Sequence, residues 1–124
     1  MLHPDNFHGY LRWPADVPRT EKPNASRSKK SFYESLKLLE KAMHDAGISN
    51  YDIYCKLDFD FKLKRIVEMY DDTAVVIKWR KSNGAVICYA CDHYLSASRN
   101  MQELAKAITL RAKLHQMHFH AKAV

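Results

Sequence analysis

Apolar and polar positions alternate along this chain with two different periods, and the change of period marks out its elements. From Phe32 onward, Phe32, Leu36, Leu39 and Met43 recur at helical spacing and form one apolar stripe. Ser31 and Glu34 make an S-x-x-E capping box, in which each side chain satisfies the other's orphan N–H. Gly47 suits the left-handed position that ends a helix. A helix is therefore predicted from about Phe32 to Ala46. The period then falls to two: Tyr51, Ile53, Cys55 and Leu57 alternate with Asp52, Tyr54 and Lys56, which predicts a strand with one buried face. Phe59 to Tyr70 fits both periods, since Phe59, Phe61 and Leu63 alternate while Leu63, Ile66, Val67 and Tyr70 fit a helix. A strand or irregular excursion is expected there, followed by a turn at Asp71-Asp72.

The stretch Thr73 to Tyr94, TAVVIKWRKSNGAVICYACDHY, reads as a β-hairpin around Asn83-Gly84. Both residues tolerate the positive φ of a two-residue type I′ turn. That turn pairs Ser82 with Ala85, Trp79 with Cys88, Ile77 with Ala90 and Val76 with Cys91. One face would then carry Ile77, Trp79, Cys88 and Ala90. The other would carry Lys78, Arg80, Ile87, Tyr89 and Cys91.

A second helix is expected from about Asn100 to His118, with Asn100 and Glu103 as a second cap. Met101, Leu104, Ala105, Ile108 and Ala112 form its stripe, which Leu110, Leu114 and Met117 broaden. A helix apolar over that much of its girth has more than one surface to cover. All four prolines fall within residues 1–30, which should form an extended arm. Phe7, Tyr10, Leu11 and Trp13 would anchor that arm on the domain, leaving Glu21 to Lys30 as a loose basic link. Residues 31–124 would form a single domain. The fold class expected is α+β: a two-layer arrangement with an antiparallel sheet around the Asn-Gly hairpin and both helices on one face.

At 124 residues the chain suffices for one domain with a real core. Its 47% hydrophobic and 27% charged residues are ordinary for a globular protein. No apolar run approaches the roughly 20 residues that span a bilayer, and MLHPDNFHGY lacks a signal-peptide layout. No membrane role is expected, and the cytoplasm is the expected location. There unbridged, buried thiols are the expected state of Cys55, Cys88 and Cys91. A net charge of +6 favours a polyanionic partner, although many small basic proteins have none.

The pattern resembles the domain that precedes the J domain in uncharacterised haloarchaeal DnaJ-like (J-domain-containing) proteins. The resemblance rests on Leu11-Arg12-Trp13-Pro14, Ser31-Phe32, Val75-Val76-Ile77-Lys78-Trp79 and above all Ala90-Cys91-Asp92-His93-Tyr94, with Asn100 and Leu104 following at similar spacing. It covers roughly residues 10–120 and implies a fold. In that family the J domain comes next, whereas this sequence ends at Val124, so co-chaperone activity is not expected to carry over. His3-Pro4-Asp5 spells the J-domain tripeptide, but only two residues precede it where a J domain has a helix, so coincidence is expected.

Candidate chemistry is sparse. Cys88-x-x-Cys91 suggests zinc or redox work, but residues three apart on a strand face opposite ways, and no second pair completes a tetrahedral site. Asp92 and His93, with Asp58 and Asp60, would suit a divalent ion if they converged. Otherwise Asp92 serves the turn after the strand and His93-Tyr94 packs. His115, His118 and His120 crowd the last helix, where cationic side chains complement its dipole. The basic and aromatic set Lys78, Arg80, Ile87 and Tyr89 is the expected binding surface, which Arg27, Lys29 and Lys30 would extend. No catalytic residue, resident metal or cofactor is expected. The leading expectation is a small non-catalytic binding module, an accessory protein that meets a protein partner or a second copy of itself. The alternative is a nucleic-acid-binding protein, in one form a metal-dependent nuclease using Asp58, Asp60, Asp92 and His93.

Overall fold

The computed structural model describes residues 6–26, 28–62, 64–68 and 71–123, with backbone alone at 58–60, 65–68 and 115–123. The elements run β1 (Phe7–His8), α1 (Phe32–Asp45), β2 (Tyr51–Cys55), β3 (Leu57–Asp60), β4 (Arg65–Glu68), β5 (Val75–Arg80), β6 (Val86–Cys91) and α2 (Ala97–Ala123). Four strands form one sheet in the order β1-β2-β5-β6, and β3 and β4 pair separately. The chain is thus α+β. The main sheet is mixed rather than antiparallel, because β1, inside the proline-containing arm, pairs parallel with β2. A two-residue strand has no period to read, so sequence pattern could not reveal it. Between Leu57 and Glu68 the chain makes a hairpin of its own, Leu57 opposite Glu68 and Asp60 opposite Arg65. Leu63 and Tyr70 lie outside the described residues. No helix among the described residues is long and apolar enough to cross a membrane.

The β5–β6 hairpin forms, but its loop has three residues, Ser82, Asn83 and Gly84. Gly84 N–H donates to Lys81 O at 2.9 Å and Lys81 N–H to Ala85 O at 2.8 Å. Gly84 has φ +89°, whereas Asn83 is not among the positive-φ residues, so the turn is not type I′. It is the three-residue alternative that ends on a left-handed glycine. The extra loop residue shifts the register by one: Val75 faces Cys91, Ile77 faces Tyr89, and Trp79 faces Ile87. A one-residue shift moves every β6 side chain to the other face.

The core lies between the helices and the face carrying Ile53, Cys55, Val75, Ile77, Trp79 and Cys91, with Ile87 and Tyr89 packed at its margin. Helix α1 opens on the expected capping box and contributes Leu36, Leu39 and Met43. Helix α2 contributes Met101, Leu104, Ala105 and Ile108. Fully burying a side chain such as Leu39 or Ile77 contributes roughly 1.5–3 kcal/mol of transfer free energy. Asn100 does not cap α2. The helix starts earlier, where Ser96 Oγ accepts from Arg99 N–H at 3.3 Å. Asn100 is instead fully buried one turn in. Its amide donates to Thr73 O at 2.8 Å and Tyr94 O at 3.0 Å, and accepts from Tyr94 N–H at 3.1 Å. It ties the start of β5, the end of β6 and α2 together.

The arm crosses the sheet face opposite the helices. His8 stacks on Tyr54 at 4.7 Å, Tyr10 packs against the same ring, and Phe7 turns to the core side against Phe32. The link from Glu21 to Lys30, expected to be loose, is held at Asn24 and Ser28. Asn24 bridges Tyr94, donating to His93 O and accepting from Leu95 N–H, and Gln102 donates to Ser28 Oγ.

Candidate interaction surface

The register shift divides the expected binding surface. Lys78 and Arg80 are exposed on the face away from the helices, while Ile87 and Tyr89 lie on the helix face. Tyr89 packs edge-on against Trp79 at 5.4 Å, and its hydroxyl accepts from Arg111 Nη1 at 3.1 Å. It is a packing residue with no ring presented beside Lys78. Lys78 and Arg80 instead border a polar cleft of about 540 Å³ with Asn6, Ser49, Asn50 and Asp52. Two competing contacts occupy its polar groups: Asp52 holds His8 Nε2 at 2.8 Å, and Arg80 Nη1 donates to Gly84 O at 2.9 Å. Lys29 and Lys30 are exposed, and Arg27 lies outside the described residues.

Asp92 is buried where β6 ends. One carboxylate oxygen accepts from Arg19 Nε at 2.9 Å and Thr20 N–H at 2.8 Å, and the other from Thr20 Oγ1 at 2.5 Å. Arg19 also reaches Asp72 with both terminal nitrogens, at 2.6 and 3.2 Å, and lies over the Trp13 ring at 4.6 Å. Burial pushes the Asp92 carboxyl up, but the bonds from Thr20 and then Arg19 outweigh it and hold the group below its ordinary value. With three bonds from Arg19 and Thr20, this carboxylate anchors the arm. The neighbouring His93 side chain is exposed. Asp58 and Asp60 sit on β3 opposite Val67 and Arg65, and their side chains are outside the described set. The side chains of His115, His118 and His120 are likewise outside it, as is His3-Pro4-Asp5. Among the described residues no group of three or more His, Cys, Asp or Glu side chains converges to hold a metal.

Cys88 and Cys91 face opposite sides of β6, on the sides reverse to those expected. Cys91 packs in the core, and Cys88 is exposed on the outer face rather than buried. Burial pushes the Cys91 thiol up against a bond from the His93 N–H. Partial burial and Asp16 push Cys88 up against the pull of Lys78. Both therefore stay protonated at neutral pH, unlike reactive cysteines.

The surface that sequence reading missed lies between the helices. Leu38 and Ala42 of α1 and Ala105, Thr109 and Leu110 of α2 line a groove of about 610 Å³, with Lys30, Lys41, Lys106 and Asp45 at its rim. Leu38 sits off the inward stripe of α1, and Leu110 off that of α2, so both helices turn a second apolar face outward. Leu110 is 60% exposed and Leu114, one turn further on, 63%. A second cleft of about 410 Å³ beyond α2 shares Leu110 and Leu114 with Tyr89, Ala107 and Arg111. Helix α2 thus presents an open apolar ridge between two concavities. The broad apolar girth of α2 was legible; that Leu38 would meet it was not.

No family model matches the chain, nor does any curated protein or solved structure.

Proposed function

We propose that this two-layer α+β domain is a non-catalytic protein-interaction module that binds through the groove between α1 and α2. The observation that supports this most strongly is the apolar groove itself, floored by Leu38, Ala42 and Ala105 and continued by the exposed Leu110–Leu114 ridge. Concave apolar surface bordered by charge marks a binding site more often than a uniformly polar face does. Asp92, a buried carboxylate of the expected polar site, is committed to Arg19 and Thr20, which weighs against catalysis there. An accessory role in the cytoplasm fits this reading. So does kinship with the region preceding the J domain in haloarchaeal DnaJ-like proteins, which would bring a shared fold and no chemistry.

The second reading is nucleic-acid binding at the cleft beside Lys78 and Arg80, favoured by those two cations and by the basic balance of the chain. A photo-crosslinking residue placed at Leu110 or at Arg80 in cells separates the readings. The interaction module gives protein adducts from position 110. Nucleic-acid adducts from position 80, with none from 110, would replace it by the second reading.

A further inference from the structure

We infer that the occupant of the α1/α2 groove is an acidic amphipathic helix supplied by a partner protein. This rests on the groove being the binding site and specifies what it takes. The α1/α2 groove is lined by Lys30 and residues of the two helices, with no strand residue among them, so an added strand has nothing to pair with there. A helix laid along two others engages through apolar anchors at i, i+4 spacing. Leu110 and Leu114 present that spacing, and Leu38 of α1 shares the groove with Leu110. Beyond Ile108, the last core residue among those described, the α2 backbone continues to Ala123, about 22 Å of helix at about 1.5 Å per residue.

Charge decides the partner's chemistry. Lys30, Lys41 and Lys106 border the groove, against the single carboxylate of Asp45. Lys41 rests on Asp45 at 2.7 Å and Lys106 on Glu103 at 3.2 Å. These are exposed pairs of the kind worth little, so carboxylates of a partner can exchange for them. Along α2 the cations Arg99, Lys106, Arg111, Lys113 and Lys122 face one acid, Glu103. A second copy of α2 laid on the first would set cation against cation. Nucleic acid would find phosphate partners in the rim lysines, but Leu38, Ala42, Ala105 and Leu110 of the floor offer a base no hydrogen bond and no aromatic face to stack on. An acidic helix satisfies the apolar floor and the basic rim together.

The test is selection from a displayed library of helix-forming peptides of about 18 residues (about 27 Å of helix), randomised at apolar and charged positions. The library is sorted on the full chain and depleted on a Leu38→Glu/Leu110→Glu variant. Leu114→Glu, at a more exposed site, serves as a second depleting variant should the double one melt early. The expected winners carry net negative charge and apolar residues at i, i+4. They lose affinity by about tenfold or more from low to high salt. Groove-dependent winners that are neutral or basic overturn the acidic helix and leave the groove reading standing. No groove-dependent winner overturns both. A concentration-dependent dimer in sedimentation that Leu110→Glu abolishes makes a second copy the occupant and overturns the inference. RNA binding that the same variant abolishes overturns it as well.

Discussion

Arg19 Nε donates to the carboxylate of Asp92 at 2.9 Å, joining residues 73 positions apart. Through that contact the N-terminal arm is fastened to the end of β6, and the same guanidinium reaches Asp72 ahead of β5. The arm therefore belongs to the folded unit that places both helices.

Asp92→Asn should cost about 2 kcal/mol at neutral pH, because it removes charge-assisted bonds and turns an N–H₂ toward donors. The pH dependence has a definite sign. The folded-state pKa of Asp92 is lowered, since bonds from Thr20 and Arg19 outweigh the upward push of burial. The stability it supplies is complete above the unfolded value of about 4 and is lost as pH falls through the folded one. Urea midpoints of wild type and variant should therefore differ at neutral pH and converge in acid. A gap that does not change with pH would contradict the assignment.

The position of Asp92 at a strand end was legible, but its partners were not. No local pattern links Arg19 to a residue so far along the chain. Helix α1 was legible because Ser31, Glu34 and the Leu36–Leu39–Met43 stripe agree. The hairpin was legible from Asn83-Gly84, but its register was not. The same dipeptide serves a two-residue turn with both residues at φ > 0 and a three-residue loop with only the glycine there. That single residue separates Tyr89 from Lys78 and dissolved the expected basic-aromatic face. Asn100 misled for a related reason: an N-x-x-E pattern describes a cap, yet Ser96 starts the helix and burial gives Asn100 another task.

Gly84→Ala should destabilise by about 1 kcal/mol through the backbone alone. Gly84 has φ +89°, and a Cβ built there meets nothing within 4 Å. Gly84→Asn should recover part of the loss, since asparagine tolerates that region better. Equal denaturation midpoints for all three proteins would rule out a left-handed residue 84.

Asn100→Ala should cost about 3 kcal/mol or more. It strands the buried carbonyl of Thr73 and removes partners from both backbone groups of Tyr94. The check is a urea titration beside Thr109→Ala, an exposed α2 position expected to change little. Similar losses at the two sites would remove Asn100 from its place joining β5, β6 and α2.

Lys78→Ala/Arg80→Ala should leave the fold within about 0.5 kcal/mol of wild type, since both side chains are exposed. It should also leave binding at the helix groove unchanged. Fluorescence anisotropy with short RNA and DNA at low salt tests the remaining role of these cations. Tight, salt-dependent binding that this pair abolishes would restore the nucleic-acid reading.

The most direct measurement is an amide chemical-shift titration of the protein with a peptide helix carrying leucines at i, i+4 and glutamates on its flanks. The groove account predicts saturable shifts at Ala42, Ala105, Thr109 and Leu110, with Lys78, Arg80 and Val86 unmoved. Shifts confined to the second set, or none at the first up to high peptide concentration, would contradict it.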